Sequence, residues 1–121
     1  MLIIFGIKIP QNKKIRYALT SLYGIGLTTA SQICDQLNFP TNITINDLTE
    51  TQKLALSRLI KQNYKIESTL KKEIRKNIEK YVKNESIRGF RHRHALPVRG
   101  QRTHTNAKTQ RKLKRVFTKK K

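Results

Sequence analysis

Five arginines, Arg88, Arg91, Arg93, Arg99 and Arg102, recur every few residues in a stretch that holds no carboxylate. A guanidinium makes forked hydrogen bonds to phosphate and stacks on exposed bases, so arginine in place of lysine points to a folded RNA rather than to undirected charge. Gln101, Thr103, Thr105 and Asn106 add neutral donors and acceptors suited to 2′-hydroxyls and base edges. Lys108, Arg111, Lys112 and Arg115 follow at i, i+3, i+4 and i+7, which predicts a short helix over residues 105–115 with a basic stripe on one face. His92, His94 and His104 lie in the same stretch, where an imidazole stacks on a base or hydrogen-bonds a phosphate. No carboxylate or thiol stands beside them to complete a metal site or to orient a catalytic imidazole. Neither a metal, a cofactor nor enzymatic turnover is expected.

A second candidate site is Gly24-Ile25-Gly26. No P-loop lysine follows it and no clear strand precedes it, so it is not a nucleotide loop. Two readings stay open: a tight turn between helices, or a turn whose backbone N–H groups, close to the start of the next helix, also seat a phosphate of the RNA.

The elements that must position these groups are mainly helical. Residues 2–9 alternate loosely up to Pro10 and predict a short extended arm. Ile15, Ala18, Leu19 and Leu22 give a helix over 14–23, and the glycine turn leads to a second over 28–38, capped by Thr28 and carrying Ala30, Ile33, Cys34 and Leu37. Together they form a helix-turn-helix hairpin. Ile43 and Ile45 anchor an extended connection, and Thr49 with Gln52 has capping-box spacing ahead of the stripe Leu56, Leu59 and Ile60. A fourth helix from Ser68 or Thr69 places Leu70, Ile74, Ile78, Tyr81 and Val82 on one face, and short helices need such faces packed together to persist. Residues 88–104 show no apolar period and predict an extended segment that orders on its partner. The expected division is a helical domain over 1–87 and a basic tail over 88–121.

Charge divides the chain at the same place. Of 27 Lys and Arg against 7 Asp and Glu, residues 88–121 hold 13 of the bases and none of the acids. Such a chain repels itself and needs a polyanion. Cys34 is the single cysteine and reads as a small buried hydrophobe, with no internal disulfide. The apolar opening Leu2-Ile3-Ile4-Phe5 is too short to span a bilayer, so no membrane contact is expected. Residues 1–34 carry bases and no acid, as a transit peptide does, but Gly24 and Gly26 interrupt any amphipathic pattern and the segment reads as mature structure.

Arg88-Gly89-Phe90-Arg91-His92-Arg93, then Leu96-Pro97-Val98-Arg99-Gly100-Gln101-Arg102-Thr103, then Thr105-Asn106-Ala107, resemble the signature of the small ribosomal subunit protein thirteen family of bacteria and organelles. Residues 18–26 resemble that family's first helix and glycine turn, and Ile9-Pro10 its N-terminal arm. The resemblance covers residues 1 to about 112. It implies a helix-two-turn-helix domain in the head of the small subunit and a basic tail threading through small-subunit rRNA. Its expected rRNA contacts are Gly24, Gly26, Arg88, Arg91, His92, Arg93, Arg99, Gln101, Arg102, Thr103, Asn106, Lys108, Arg111 and Lys112. The family's other partners are small-subunit protein nineteen, large-subunit bridge elements (protein five and rRNA) and peptidyl-site tRNA, toward which Lys119, Lys120 and Lys121 would extend. His94-Ala95 departs from the bacterial Arg-Gly, and the residues after Lys112 depart from the bacterial ending. Thr103-His104-Thr105-Asn106 with Arg111-Lys112-Leu113 is more like mitochondrial members, and heavy use of Lys, Ile and Asn fits an AT-rich genome. The resemblance thus implies an organelle-encoded protein of the mitochondrial ribosome, with the bacterial cytoplasm as the alternative.

A competing class is a DNA-binding regulator that uses residues 14–38 as a helix-turn-helix. Its recognition helix would offer Gln32, Gln36 and Asn38 but no base-reading arginine. A nuclease or glycosylase would need an acid–base pair that the sequence does not nominate. On the RNA reading, Arg91→Ala and Arg99→Ala weaken binding without loss of helix, whereas Gly26→Val damages the hairpin.

Overall fold

Leu2 and Ile4 are buried while Ile3 and Phe5 are exposed, the alternation of a half-covered strand. In the computed structural model, which describes residues 1–112, this arm doubles back on itself. β1 (Ile3–Ile4) pairs antiparallel with β2 (Ile7–Lys8), Ile4 opposite Ile7. The link is Phe5-Gly6, both at positive φ (50° and 77°), the geometry of a two-residue hairpin turn. A single extended arm was expected. Phe5 concealed the turn, because only Gly6 of the pair is a residue that signals left-handed backbone.

α1 (Ile15–Leu19) is shorter than its apolar period suggests. Thr20 and Ser21 donate their hydroxyls to the carbonyls of Tyr17 and Ala18, at 2.7 and 2.8 Å, and so compete for the acceptors that further helix would use. α2 (Leu27–Gln36) is capped two residues early, by Gly26 rather than Thr28. It ends in a left-handed Asn38 (φ 54°). The N–H groups of Asn38 and Phe39 donate to the carbonyls of Asp35 and Cys34, which satisfies the helix end. Asp35 also meets Arg16 at 3.6 Å, tying α2 to α1 across the hairpin.

The connection to α3 (Glu50–Asn63) runs beside α1, where the Ile15 N–H donates to the Ile43 carbonyl. Both halves of the predicted capping box are formed by Thr49 and Gln52. Leu56 and Ile60 are fully buried and Leu59 is half-buried. The core gathers these residues with Leu2, Ile4, Ile9, Ile15, Leu19, Leu22, Ile33, Cys34 and Ile66. Burial pushes the Cys34 thiol up from its ordinary range, against a smaller opposing pull from Arg16, as suits a structural cysteine.

The glycine turn separates the roles of its two glycines. Gly24 has φ +108°, and a Cβ there would lie 2.8 Å from Leu70 Cδ2 and 3.2 Å from the Lys65 carbonyl oxygen. Tyr23 and Glu67 clasp each other beside it: the Tyr23 N–H donates to Glu67 Oε1 at 2.7 Å, and the Glu67 N–H to the Tyr23 carbonyl at 3.0 Å. Gly26 has ordinary extended backbone and open space around it. The expectation that a side chain at Gly26 would damage the hairpin is therefore corrected, since the close approach is at Gly24.

α4 (Glu67–Lys83) carries its predicted stripe, but none of its residues is buried, and Ile74 and Tyr81 are exposed. The expectation that all four apolar faces share one core fails for this helix. The chain divides within α4 into two compact units, Met1–Lys71 and a second that begins at Lys72. This division precedes the change of charge at 87/88, because residues after α4 fold back onto its last turn. They form α5 (Ile87–Arg93), followed by irregular backbone and α6 (Lys108–Lys112). An extended course was expected for all of 88–104, and residues 88–93 correct it. Among the described residues no helix is long and apolar enough to cross a membrane.

Candidate nucleic-acid interface

The interface is built from the last turn of α4 outward. Glu85 adopts a left-handed φ of 52°, and the N–H groups of Glu85 and Ser86 donate to the carbonyls of Val82 and Tyr81. This helix stop usually employs glycine. Ser86 then caps α5, its Oγ accepting from the Gly89 N–H at 3.1 Å and donating to the Tyr81 carbonyl at 2.9 Å. Gly89 is buried flat against α4: a Cβ there would stand 2.2 Å from the Tyr81 carbonyl oxygen. Because Glu85 is exposed, Glu85→Gly should relieve its backbone strain at no cost in packing. Left-handed strain of ~1–2 kcal/mol, less the extra freedom of an unfolded glycine, predicts a gain of about 0.5–1 kcal/mol. Slower amide exchange at Ser86 and Gly89 would register it, and faster exchange there would contradict it.

α5 stops the same way. Ala95 takes the left-handed position (φ 54°) that usually employs glycine, and the Leu96 N–H donates to the Arg91 carbonyl at 2.9 Å. The Arg91 guanidinium reaches forward to the Pro97 carbonyl at 2.9 Å, closing residues 91–97 into a loop around buried Ala95 and Pro97. Arg91 is thus partly a structural residue, and the expectation that its removal leaves the local fold intact does not carry over to this loop.

Beyond Pro97 the backbone turns at Gly100 (φ 73°) and returns through left-handed Thr105 and Ala107 to α6. Arg111 on α6 donates to the Thr103 carbonyl at 2.6 Å and holds the return in place. The result is a cleft of about 510 Å³. Arg99, Gln101, Arg102 and Asn106 line it together with Pro97, Val98, Ala107, Thr109 and Gln110. Two guanidinium groups, three side-chain amides and a partly apolar wall suit phosphate on one side and ribose or base on the other.

The predicted residues thus divide by role. Arg99, Gln101, Arg102 and Asn106 converge on the cleft. Arg91, Thr103 and Arg111 hold the backbone that shapes it. Arg88 lies over the Tyr81 ring at 5.8 Å, Arg93 lines a smaller pocket with Phe90, and His92 is half-buried. Lys108 and Lys112 are exposed on α6, Gly24 and Gly26 belong to the other compact unit, and Lys119, Lys120 and Lys121 lie outside the described residues. Sequence reasoning missed Phe90, whose ring packs on His94 with centroids 4.1 Å apart. The i,i+4 spacing of two rings would have revealed it had residues 88–93 been read as a helix. Thr109 and Gln110 were also missed, because they fall between the basic residues of the α6 stripe.

A family model described as ribosomal protein S13/S18 matches residues 3–109. The chain is also 46% identical, over 113 residues, to the small ribosomal subunit protein uS13m of Marchantia polymorpha, covering 93% of this chain and 94% of that protein.

Proposed function

We propose that this chain, which belongs to the ribosomal protein S13/S18 family and is a structural, non-enzymatic constituent of the small ribosomal subunit, grips the rRNA of the subunit head with residues 88–112. It works in the mitochondrial ribosome, as its plant relative does by name. The observation that carries the reading is the cleft in which Arg99, Gln101, Arg102 and Asn106 converge, inside a stretch that holds no acid to repel phosphate. The helical domain of residues 1–87 presents this tail to the RNA, and α6 adds Lys108 and Lys112 as further phosphate contacts. Gly26, with open space around it at the start of α2, keeps its role as a phosphate seat in this reading, and Gly24 serves the turn.

The remaining partners follow from the family resemblance: protein nineteen in the subunit head, protein five and rRNA of the large subunit at the bridges, and peptidyl-site tRNA near Lys119, Lys120 and Lys121. α2 does expose Gln32 and Gln36, but family membership leaves the DNA-binding regulator without support.

Arg99 is exposed and lines the cleft, so Arg99→Ala tests the reading without disturbing the fold. Its affinity for a transcript of the head rRNA should fall by ~1–3 kcal/mol, and the slope of log K against log salt should flatten by about one. An unrelated hairpin bound as tightly as head rRNA at moderate salt would leave only undirected attraction.

A further inference from the structure

We infer that Phe90, held against His94, is a stacking platform for one unstacked rRNA base, received in the pocket where α5 leaves the end of α4. The inference rests on the reading of residues 88–112 as an rRNA grip and adds a contact of a different kind. Phe90 is 57% exposed although it is apolar and sits on a helix that buries its glycine instead. Its ring is not loose. The His94 ring lies 4.1 Å away at 31°, and His94 Nδ1 is 2.9 Å from the Phe90 carbonyl oxygen, which fixes the imidazole on the same helix face. A ring already ordered loses little freedom on binding, which favours stacking over a disordered aromatic.

Phe90 also forms one wall of a pocket of about 200 Å³, with Val82, Glu85, Ser86, Gly89 and Arg93 around it. That is below the ~300–1,000 Å³ of small-molecule sites and fits a single flat ring. Arg93 supplies a cation for the phosphate that accompanies the base. Glu85, the acid on the wall, is an acceptor for an exocyclic amino group, so adenine, guanine or cytosine is preferred to uracil. A protein partner fits this surface less well. The last turn of α5 holds Arg91, His92 and Arg93, whereas the buried centre of a protein interface is depleted of charge.

Salt separates stacking from charge. With full-length protein and a transcript of the head rRNA, Phe90→Leu should weaken binding about tenfold while the slope of log K against log salt stays that of the parent. Phe90→Tyr, which keeps an aromatic face, should bind within about twofold of the parent. Arg99→Ala in the same series should change the slope. Circular dichroism of Phe90→Leu should match the parent, since a leucine fills the apolar contact. As a readout on the unaltered chain, ultraviolet cross-linking should yield a nucleotide adduct within residues 89–91.

Phe90→Leu binding like the parent while Arg99→Ala weakens would overturn the platform and leave the rRNA grip standing. A parent chain that does not distinguish head rRNA from an unrelated hairpin would overturn both. If Phe90→Leu binds the naked transcript normally but is lost from assembled subunits, a protein covers the ring and the inference fails.

Discussion

Gly89→Ala should free α5 from the end of α4 at a cost of about 3 kcal/mol, the upper part of the usual range for overpacking. The methyl would sit 2.2 Å from the Tyr81 carbonyl oxygen, 2.5 Å from its carbon and 2.7 Å from Val82 Cα. All three are backbone atoms of a helix, so no side chain can turn aside to admit it. α5 must lift, and the hydrogen bond from the Gly89 N–H to Ser86 Oγ that caps it, with the one from Ser86 Oγ to the Tyr81 carbonyl that ties the cap to α4, lengthens with the movement. Amide exchange at Phe90, His94 and Leu96 should accelerate by about two orders of magnitude, since each factor of ten corresponds to about 1.4 kcal/mol. Exchange in the Leu56 and Ile60 core should not change. Binding of head rRNA should weaken as well, because Arg93 and Phe90 ride on α5 and Arg91 closes the loop behind it. Ile87→Ala, at the exposed first position of α5, is the control and should leave protection unaltered. Unchanged exchange in Gly89→Ala would mean that the two helices do not approach this closely.

This contact explains why α5 was not legible in the sequence. A reading by apolar periodicity looks for side chains that bury, and α5 buries a residue that has none. Gly89 and Gly100, with Pro97 between them, look like punctuation of an open tail. In the fold Gly89 is the point of closest packing, Pro97 accepts from Arg91, and only Gly100 turns the chain in open space. α3 was legible because Thr49 and Gln52 announce its start and Leu56 and Ile60 its face, all from local spacing. The α4 stripe was legible too, though not its exposure. Periodicity says which face is apolar, whereas the neighbours that cover it are tertiary. For the interface, residue type sufficed to nominate Arg99, Gln101, Arg102 and Asn106. Their convergence on one cleft required the left-handed Thr105 and Ala107, which no residue preference foretells.

The two glycines of the α1–α2 turn provide the second large effect, through their contrast. Gly24→Ala combines two penalties: backbone strain at φ +108°, worth ~1–3 kcal/mol, and a new methyl 2.8 Å from Leu70 Cδ2 and 3.2 Å from the Lys65 carbonyl. Leu70 can rotate away and relieve part of the clash, but the carbonyl cannot, and the strained φ remains. A loss of about 2–4 kcal/mol is expected, because the paired Tyr23–Glu67 hydrogen bonds beside the turn must shift to make room. Gly26→Val meets neither obstacle. Its φ of −94° and ψ of 179° suit valine, nothing lies within 4 Å of the new Cβ, and the change forfeits only a preferred N-cap, about 0.5–1 kcal/mol. Denaturant midpoints followed by helical circular dichroism should therefore place Gly26→Val near the parent and Gly24→Ala well below it. The reverse order would move the point of close approach back to Gly26, where residue spacing alone had placed it. It would also deny that the turn is packed against the start of α4.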